Sequence, residues 1–281
     1  PMEVEELEQD DLPNIGGEVE PMDRDDTTDF FKEVDEAMEE PMAEYEDHEM
    51  VAMMDVLQTL GVEPDAANRF SAKVMRISNQ PLNPTFVEMY GCGNVVTAAN
   101  TVLRNLNVDG LAAFDLRTSK PNGAPWDFCK KSDRMEALRY VKEKKPTWIV
   151  GSPPCTAFSR LQALNFPKMD PARVEKILKA ARAHLHFVIS LYHIQIAEGR
   201  HFLHEHPQGA TSWRDHRMVR LLSHRLVNVA VSDQCMYGLV TKGVNGKEVA
   251  AKKPTQWAST SPQMLKRLST RCDGTHTLIN T

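Results

Sequence analysis

The chain has 281 residues, of which 41% are hydrophobic and 26% charged, and its length suits one large globular domain or two small ones. No run of 18 apolar residues occurs, which excludes a membrane-spanning helix, and no signal peptide is recognisable. The formal net charge of −6 is the sum of two oppositely charged segments. Residues 1–50 carry 21 acidic and two basic residues, whereas residues 51–281 carry 18 acidic and 31 basic residues.

Residues 1–50 form an acidic segment with a formal charge of −19 and few branched aliphatic side chains. Such a composition buries too little apolar surface to offset the entropy of folding, so we predict a disordered tail or linker. Two roles stay open for it, an inert solvated spacer or a polyanion that competes with nucleic acid. Residues 51–281 carry +13, which favours a polyanionic partner.

Apolar periodicity and breaker residues predict alternating helices and strands after residue 50. In chain order these are a helix over 50–60, a strand over 85–90, a helix over 94–106, a strand over 110–116, a helix over 133–144, a strand over 147–150, a long helix over 171–198, a strand over 201–205, a helix over 216–224, a strand over 227–232, a hairpin over 247–259 and a short helix over 261–268. This alternation predicts one α/β domain over 51–281 with a doubly wound, mostly parallel sheet.

A glycine-rich turn follows the first predicted strand. Gly91 and Gly93 lie between that strand and a helix, where glycines let the backbone approach a nucleotide-like ligand closely. Asp115 ends the next strand, near the separation at which an acidic residue meets a ribose hydroxyl in dinucleotide-binding folds. A plain tight turn and an ordinary loop carboxylate are the alternatives at these positions.

The most informative segment is residues 151–159, GSPPCTAFS, which follows an apolar strand. Pro153 and Pro154 restrict the backbone at the strand exit, so Cys155 is held where open α/β sheets bind their ligands. A thiol there is a candidate nucleophile, because the thiolate is strongly nucleophilic near neutral pH. The alternative is a small buried cysteine in a strand-to-helix turn.

Three segments resemble motifs of DNA cytosine-5 methyltransferases. Residues 151–159 resemble the family's Pro-Cys motif, with Thr156 where the family usually has Gln. Residues 201–207, HFLHEHP, resemble the strand that ends in Glu-Asn, with Glu205 at the glutamate. Residues 85–93, TFVEMYGCG, are similar to the cofactor-binding Asp-x-Phe-x-Gly-x-Gly start, one residue shorter.

The resemblance covers about residues 84–281 and is closest to a divergent group in algal retroelement polyproteins. The shared stretches are SPPCTAFSRLQALN, HEHP, DQCMYG, KKPT and the closing Cys-x-Gly-x-His. The chain begins with Pro1 instead of Met, which suggests a piece of a longer polypeptide. We therefore expect it to be part of a polyprotein.

The resemblance implies a Rossmann-like, S-adenosylmethionine-dependent methyltransferase fold and methyl transfer to C5 of cytosine. Cys155 would attack C6 of the base and Glu205 would hydrogen-bond N3. Ser159 and Arg160 would contact the nucleic acid. DNA is the expected substrate and RNA the alternative, and a base in a duplex must leave the stack to reach such a pocket. The residues that would bind S-adenosyl-L-methionine are Glu88, Tyr90, Gly91, Gly93, Asp115, Asp127 and Pro153.

Two features depart from the family pattern. No Gln-x-Arg-x-Arg element follows the strand of Glu205, and residues 233–238, DQCMYG, occupy its neighbourhood. Fewer than fifty residues follow Gly238, which leaves no room for a large target-recognition region. A catalytically silent nucleic-acid- or cofactor-binding module is therefore the alternative function, and a thiol hydrolase that pairs Cys155 with His206 is a third.

Cysteine usage bears on compartment and on metal binding. The five cysteines lack the spacing of a disulfide scaffold, which indicates a reducing intracellular compartment, the nucleus in a eukaryote. Cys272 and His276 are spaced as one ligand pair, with Cys235 as a candidate third ligand, whereas structural zinc sites usually show two close pairs. The sequence therefore assigns no metal ligand.

Overall fold

The computed structural model describes residues 84–102, 107–243, 246–275 and 278–280. The predicted acidic tail over 1–50 and the predicted helix over 50–60 lie outside these ranges. The longer helices and the strands, in chain order, are β1 (Thr85–Met89), α1 (Asn94–Thr101), β2 (Asp109–Phe114), α2 (Lys131–Lys144), β3 (Trp148–Gly151), α3 (Arg160–Asn165), α4 (Pro171–Ala197), β4 (His201–Pro207), α5 (His216–Leu222), β5 (Asn228–Asp233), β6 (Val240–Lys242), β7 (Glu248–Lys252), β8 (Pro254–Ser259), α6 (Pro262–Arg267) and β9 (Leu278–Asn280).

A six-stranded sheet with the order β2-β1-β3-β4-β8-β5 forms the centre of residues 84–268. The strands β2, β1, β3 and β4 are parallel, whereas β8 runs antiparallel between β4 and β5. A separate three-stranded sheet has the order β6-β7-β9. These features confirm the predicted α/β class with a mostly parallel central sheet.

The long helix α4 covers part of this sheet. Asp170 caps it by accepting a hydrogen bond from the Arg173 N–H at 2.9 Å, and Pro171 is its first residue, as the sequence predicts. Its second half is buried against β3 and β4 and contributes Leu185, Val188 and other core side chains. Among the described residues, no helix is long and apolar enough to cross a lipid bilayer.

In the order of the main sheet, β2 lies on one side of β1, and β3 and β4 lie on the other. The chain passes from β1 to β2 on one side, then crosses to β3 on the other side and continues to β4. Right-handed crossovers place α1 on one face and α2 and α4 on the other, and α2 and α4 do pack against each other. Such a switch point leaves a crevice at the carboxyl ends of β1 and β3, where ligands bind. We call the edge at which β1 to β4 end the carboxyl edge.

The predicted hairpin over 247–259 is wrong. β7 pairs with β6 and β9 in the small sheet, whereas β8 lies inside the main sheet and pairs with β4 and β5. Pro254 is tolerated because it is the first residue of β8, where its missing N–H costs little. Thr255, Ala258 and Ser259 are fully buried, since both edges and both faces of this strand are covered.

Gly151 ends β3 where a hydroxyl group from α4 leaves no space for a side chain. A Cβ atom there would lie 2.1 Å from the Tyr192 hydroxyl and 2.8 Å from Val188 Cγ2. We expect Gly151→Ala to lower the free energy of unfolding by about 1–3 kcal/mol, because the core is already filled. The same substitution in the Tyr192→Phe background should cost less, and equal costs in urea denaturation would contradict this packing account.

Candidate functional site

The Pro-Pro-Cys turn lies at the carboxyl end of β3. The Ser152 N–H donates to the Met89 carbonyl at 3.1 Å, which ties the turn to the end of β1. Cys155 then begins a single 3-10 turn, in which the Phe158 N–H donates to the Cys155 carbonyl at 2.9 Å. Because Phe158 is buried and Pro153 is buried, the turn is anchored on both sides of a half-buried thiol.

A buried histidine of β4 holds this turn in place. His206 Nε2 lies 2.9 Å from the Pro153 carbonyl oxygen, and Nδ1 lies 2.7 Å from the Ser212 hydroxyl. A carbonyl oxygen only accepts, so Nε2 carries the proton and the Ser212 hydroxyl donates to Nδ1. Burial lowers the pKa of His206 to about 4, which keeps the ring neutral. Both ring nitrogens are engaged, which argues against a thiol hydrolase that uses His206 to activate Cys155.

Glu205 follows His204, which is opposite Gly151 at the end of β3, so its carboxylate is near enough for its charge to act on the Cys155 thiol. Its Oε1 accepts hydrogen bonds from Lys253 Nζ and Gln234 Nε2, each at 3.4 Å, and 16% of its side chain is exposed. Burial raises the pKa of the Cys155 thiol, the nearby charge of Glu205 raises it further, and Lys253 lowers it. The structure therefore brings Cys155, Glu205 and a lysine together at the carboxyl edge.

These opposing charges predict how the reactivity of Cys155 depends on pH. Lys253→Met should move the midpoint of Cys155 alkylation to higher pH, because it removes the cation that favours the thiolate. Glu205→Gln should move it to lower pH, because it removes the repelling carboxylate. Mass spectrometry of the peptide that carries Cys155 would measure the rates, with Cys155→Ser as the blank. Shifts in the opposite directions would contradict the electrostatic arrangement.

Lys253 and Gln234 were not predicted from the sequence as site residues. Gln234 also donates to the Thr255 hydroxyl at 2.9 Å, so β8 fixes its position. Both residues reach Glu205 only because β8 is inserted between β4 and β5. The available signal was that they lie in DQCMYG and KKPT, two of the stretches that carry the resemblance.

Glu88, predicted as a cofactor contact, caps helix α1 in the structure. Its Oε2 accepts from the Val95 N–H at 2.9 Å and from the Val96 N–H at 3.4 Å, a favourable place for a carboxylate. A Cβ atom on Gly91 would lie 1.9 Å from Glu88 Oε1. Gly91 is therefore required for the turn, because the glutamate passes directly beneath it.

The other residues predicted at the cofactor turn divide between backbone and side-chain roles. Tyr90 adopts a positive φ of 61°, and its hydroxyl contacts His184 of α4, 3.2 Å from Nδ1 and 3.3 Å from the carbonyl oxygen. Burial raises the pKa of Tyr90. Gly93 precedes α1 with a φ of 92°, a conformation that favours glycine. Asp127 Oδ1 accepts from the Cys129 N–H at 3.0 Å, beside the same histidine.

Asp115 follows β2 at the carboxyl edge. Its Oδ1 accepts from Arg117 Nε at 2.7 Å and from the Arg117 N–H at 2.9 Å. The Arg117 side chain is largely exposed, so this partner can move without unfolding the core. Because β2, β1, β3 and β4 are adjacent and parallel, Asp115, Gly91, Cys155 and Glu205 all lie at one edge of the sheet, as the sequence predicts.

The two residues predicted to contact nucleic acid lie at the start of α3, a helix that the sequence analysis did not predict. Ser159 caps it, with its hydroxyl accepting from the Gln162 N–H at 3.1 Å. Arg160 is exposed beside Gly209, which follows β4. The exposed Leu161 and Leu164 explain the missed helix, since it has no buried apolar stripe to reveal its period.

No protein-family model matches the chain, and no curated protein matches it. Its function is therefore inferred from the motif residues and from the positions that the fold gives them.

Proposed function

We propose that the chain is an S-adenosylmethionine-dependent methyltransferase that acts on C5 of cytosine in nucleic acid, with DNA as the expected substrate. The observation that carries this proposal is that Cys155, which follows β3, and Glu205, near the end of the adjacent parallel strand β4, lie at the same edge of the sheet. They come from the two segments with the clearest resemblance to cytosine-5 methyltransferases. The adjacent, parallel pairing of β3 and β4 brings the two segments to one edge, and the residue types that they place there, a thiol and a carboxyl group, are those that the resemblance assigns to the reaction.

The topology supports the finer assignment to a Rossmann-like methyltransferase fold. A doubly wound sheet binds its ligands at the switch point, and the switch point here lies between β1 and β3. The glycine turn after β1 and the cysteine turn after β3 border the same crevice. A methyl donor on one turn and a base on the other would therefore be neighbours.

The residues at the carboxyl edge fit S-adenosylmethionine, which would supply an electrophilic methyl group on a sulfonium centre. Gly91 leaves room for Glu88, whose carboxylate caps α1, and Gly93 supplies the positive φ with which the turn enters α1. Asp115 is the carboxylate suited to accept hydrogen bonds from ribose hydroxyls. Pro153 would contribute an apolar wall, since its carbonyl is already engaged by His206.

The thiolate of Cys155 would form a bond to C6 of cytosine, and the displaced electron pair would move into the ring. Glu205, in its protonated form and released from Lys253, would stabilise the developing negative charge by donating a hydrogen bond to N3. C5 would then be nucleophilic and would take the methyl group, and the donor's sulfonium sulfur would leave as a neutral thioether. Transfer of the C5 proton to a water molecule would restore the C5–C6 double bond and release the thiolate of Cys155.

Lys253 supplies a cation where the chain lacks the Gln-x-Arg-x-Arg element. It contacts Glu205 and favours the thiolate of Cys155. Its side chain is partly exposed, so it can shift from Glu205 towards a bound base or phosphate. In this proposal Lys253 is a positioning residue that compensates for the missing arginines.

The second candidate is a catalytically silent module that binds nucleic acid or the cofactor. The raised pKa of Cys155 favours it, because burial and Glu205 both disfavour the thiolate on which attack depends. Methyl transfer separates the two candidates, whereas binding of S-adenosylmethionine alone does not.

The test is transfer of a labelled methyl group to duplex DNA, single-stranded DNA and RNA. We expect label at C5 of cytosine, and none above background with Cys155→Ser. The variant should still bind S-adenosylmethionine by calorimetry, because the thiol attacks the base and does not hold the donor. Binding without transfer to any of the three nucleic acids would favour the silent module.

A further inference from the structure

Three potential metal ligands form a cluster that includes none of the predicted methyltransferase site residues. His186 lies in α4, and Asp215 and His216 lie at the start of α5. His186 Nε2 is 3.0 Å from Asp215 Oδ1 and 3.1 Å from Oδ2, and His216 Nδ1 is 3.9 Å from Oδ1. One donor atom from each residue lies within 4.8 Å of the other two, an arrangement found in no other group of histidines, cysteines and carboxylates among the described residues.

We propose that His186, Asp215 and His216 bind a divalent transition metal ion, with zinc as the expected metal. Ligand atoms held about 2.0–2.1 Å from zinc in a tetrahedron lie about 3.3 Å apart. The spacings of 3.0 Å and 3.9 Å bracket that value and the donor atoms of the two histidines lie within 4.8 Å of each other, so side-chain rotations that bring the imidazoles closer would close the site. Two imidazoles and one carboxylate form a donor set that suits zinc, with water as the fourth ligand.

The surroundings of the three side chains are suited to an ion. The side chains of His186 and Asp215 are 12% and 6% exposed, whereas that of His216 is 76% exposed. Two ligands are thus held in place by the protein, and the third leaves an entry path. Asp215 Oδ1 also accepts from the Arg217 N–H at 3.0 Å, an outer hydrogen bond that orients the carboxylate.

The position of the cluster indicates what a bound ion would do. It would join α4 to the start of α5, immediately after the turn Thr211–Arg214. That turn carries Ser212, whose hydroxyl orients His206 and through it Pro153. The metal would therefore stabilise the segment that carries Ser212 and, through His206, the position of the cysteine turn. The proposal is independent of methyl transfer, since only metal binding is inferred.

Cobalt binding tests the proposal, because Co²⁺ in a tetrahedral site gives intense visible d–d absorption. Untagged, chelator-treated protein should bind one equivalent of Co²⁺, and zinc should displace it. His216→Ala should weaken the affinity at least about 100-fold, since loss of even an outer-shell partner costs about 10–100-fold. Zinc should raise the melting temperature of the wild type and leave that of His216→Ala unchanged.

His224→Ala is the matched control, because it removes a histidine near the other end of α5 and should bind cobalt like the wild type. His216 is mostly exposed, so its loss should not unfold the chain, and circular dichroism would verify this. Unchanged binding by His216→Ala would overturn the proposal. A sulfur-to-cobalt charge-transfer band would also overturn it, because the ion would then sit on cysteines. Absence of binding would leave a plain histidine–aspartate ion pair as the correct description.

Discussion

Glu205→Gln is expected to slow methyl transfer by about 10²- to 10⁴-fold, the usual contribution of a positioned general acid. Glutamine keeps the size of the side chain and can still contact Lys253 and Gln234. It cannot carry the ionisable proton that stabilises charge on the attacked ring. The rate constant of a single turnover with saturating S-adenosylmethionine and cytosine-containing DNA would measure the effect.

Glu175→Gln is the control for this substitution, since it makes the same chemical change on the exposed surface of α4. It should leave the single-turnover rate unchanged. An unchanged rate with Glu205→Gln would show that this carboxylate does not act in the reaction. In that case its contact with Lys253 would be only a structural ion pair.

His206→Leu is expected to lower the free energy of unfolding by about 2–5 kcal/mol. It leaves the buried Pro153 carbonyl and the buried Ser212 hydroxyl without the partners they have in the structure, at about 1–3 kcal/mol each. Ser212→Ala removes only one of the two bonds and should cost less. Cys155 should also be alkylated faster, because the turn loses its hydrogen bond to His206. A substitution that destabilises another part of the fold would not produce this change under native conditions.

The buried histidines also predict acid sensitivity. Burial lowers the pKa of His184 and His206 to about 4 from the ordinary 6.5. The unfolded chain therefore binds more protons between these values, so stability falls as the pH is lowered from about 6.5 to about 4, by at most about 3 kcal/mol for each histidine. His206→Leu should reduce this slope in urea titrations. A slope as steep as that of the wild type would contradict neutral burial of His206.

The sequence predicted the carboxyl edge well, because its signals are local. An apolar strand followed by Gly91 and Gly93, or by Pro153 and Cys155, indicates both the strand and its exit. Parallel alternation then places such exits at the same edge of a sheet. The long helix α4 was equally predictable, since Asp170 and Pro171 begin it where caps are expected.

The contacts that surround the cysteine were not predictable in the same way. Strand β8 looked like half of a hairpin with β7, and only the full set of strand pairings inserts it beside β4. Lys253 and Gln234 depend on that insertion for their place next to Glu205. The sequence offers His206 as a possible catalytic base. In the structure its hydrogen bonds to Ser212 and to the Pro153 carbonyl instead hold the cysteine turn in position.

A covalent trap tests the central claim most directly. DNA that contains 5-fluorocytosine cannot lose the proton at C5 that normally releases the enzyme, so the complex should stall after methyl transfer with Cys155 sulfur bonded to C6. We expect a denaturant-stable adduct that requires S-adenosylmethionine and maps to the peptide of Cys155 by mass spectrometry. Cys155→Ser should form none. A wild-type protein that binds S-adenosylmethionine yet traps no fluorinated DNA or RNA, or an adduct that persists in Cys155→Ser, would contradict the proposed mechanism.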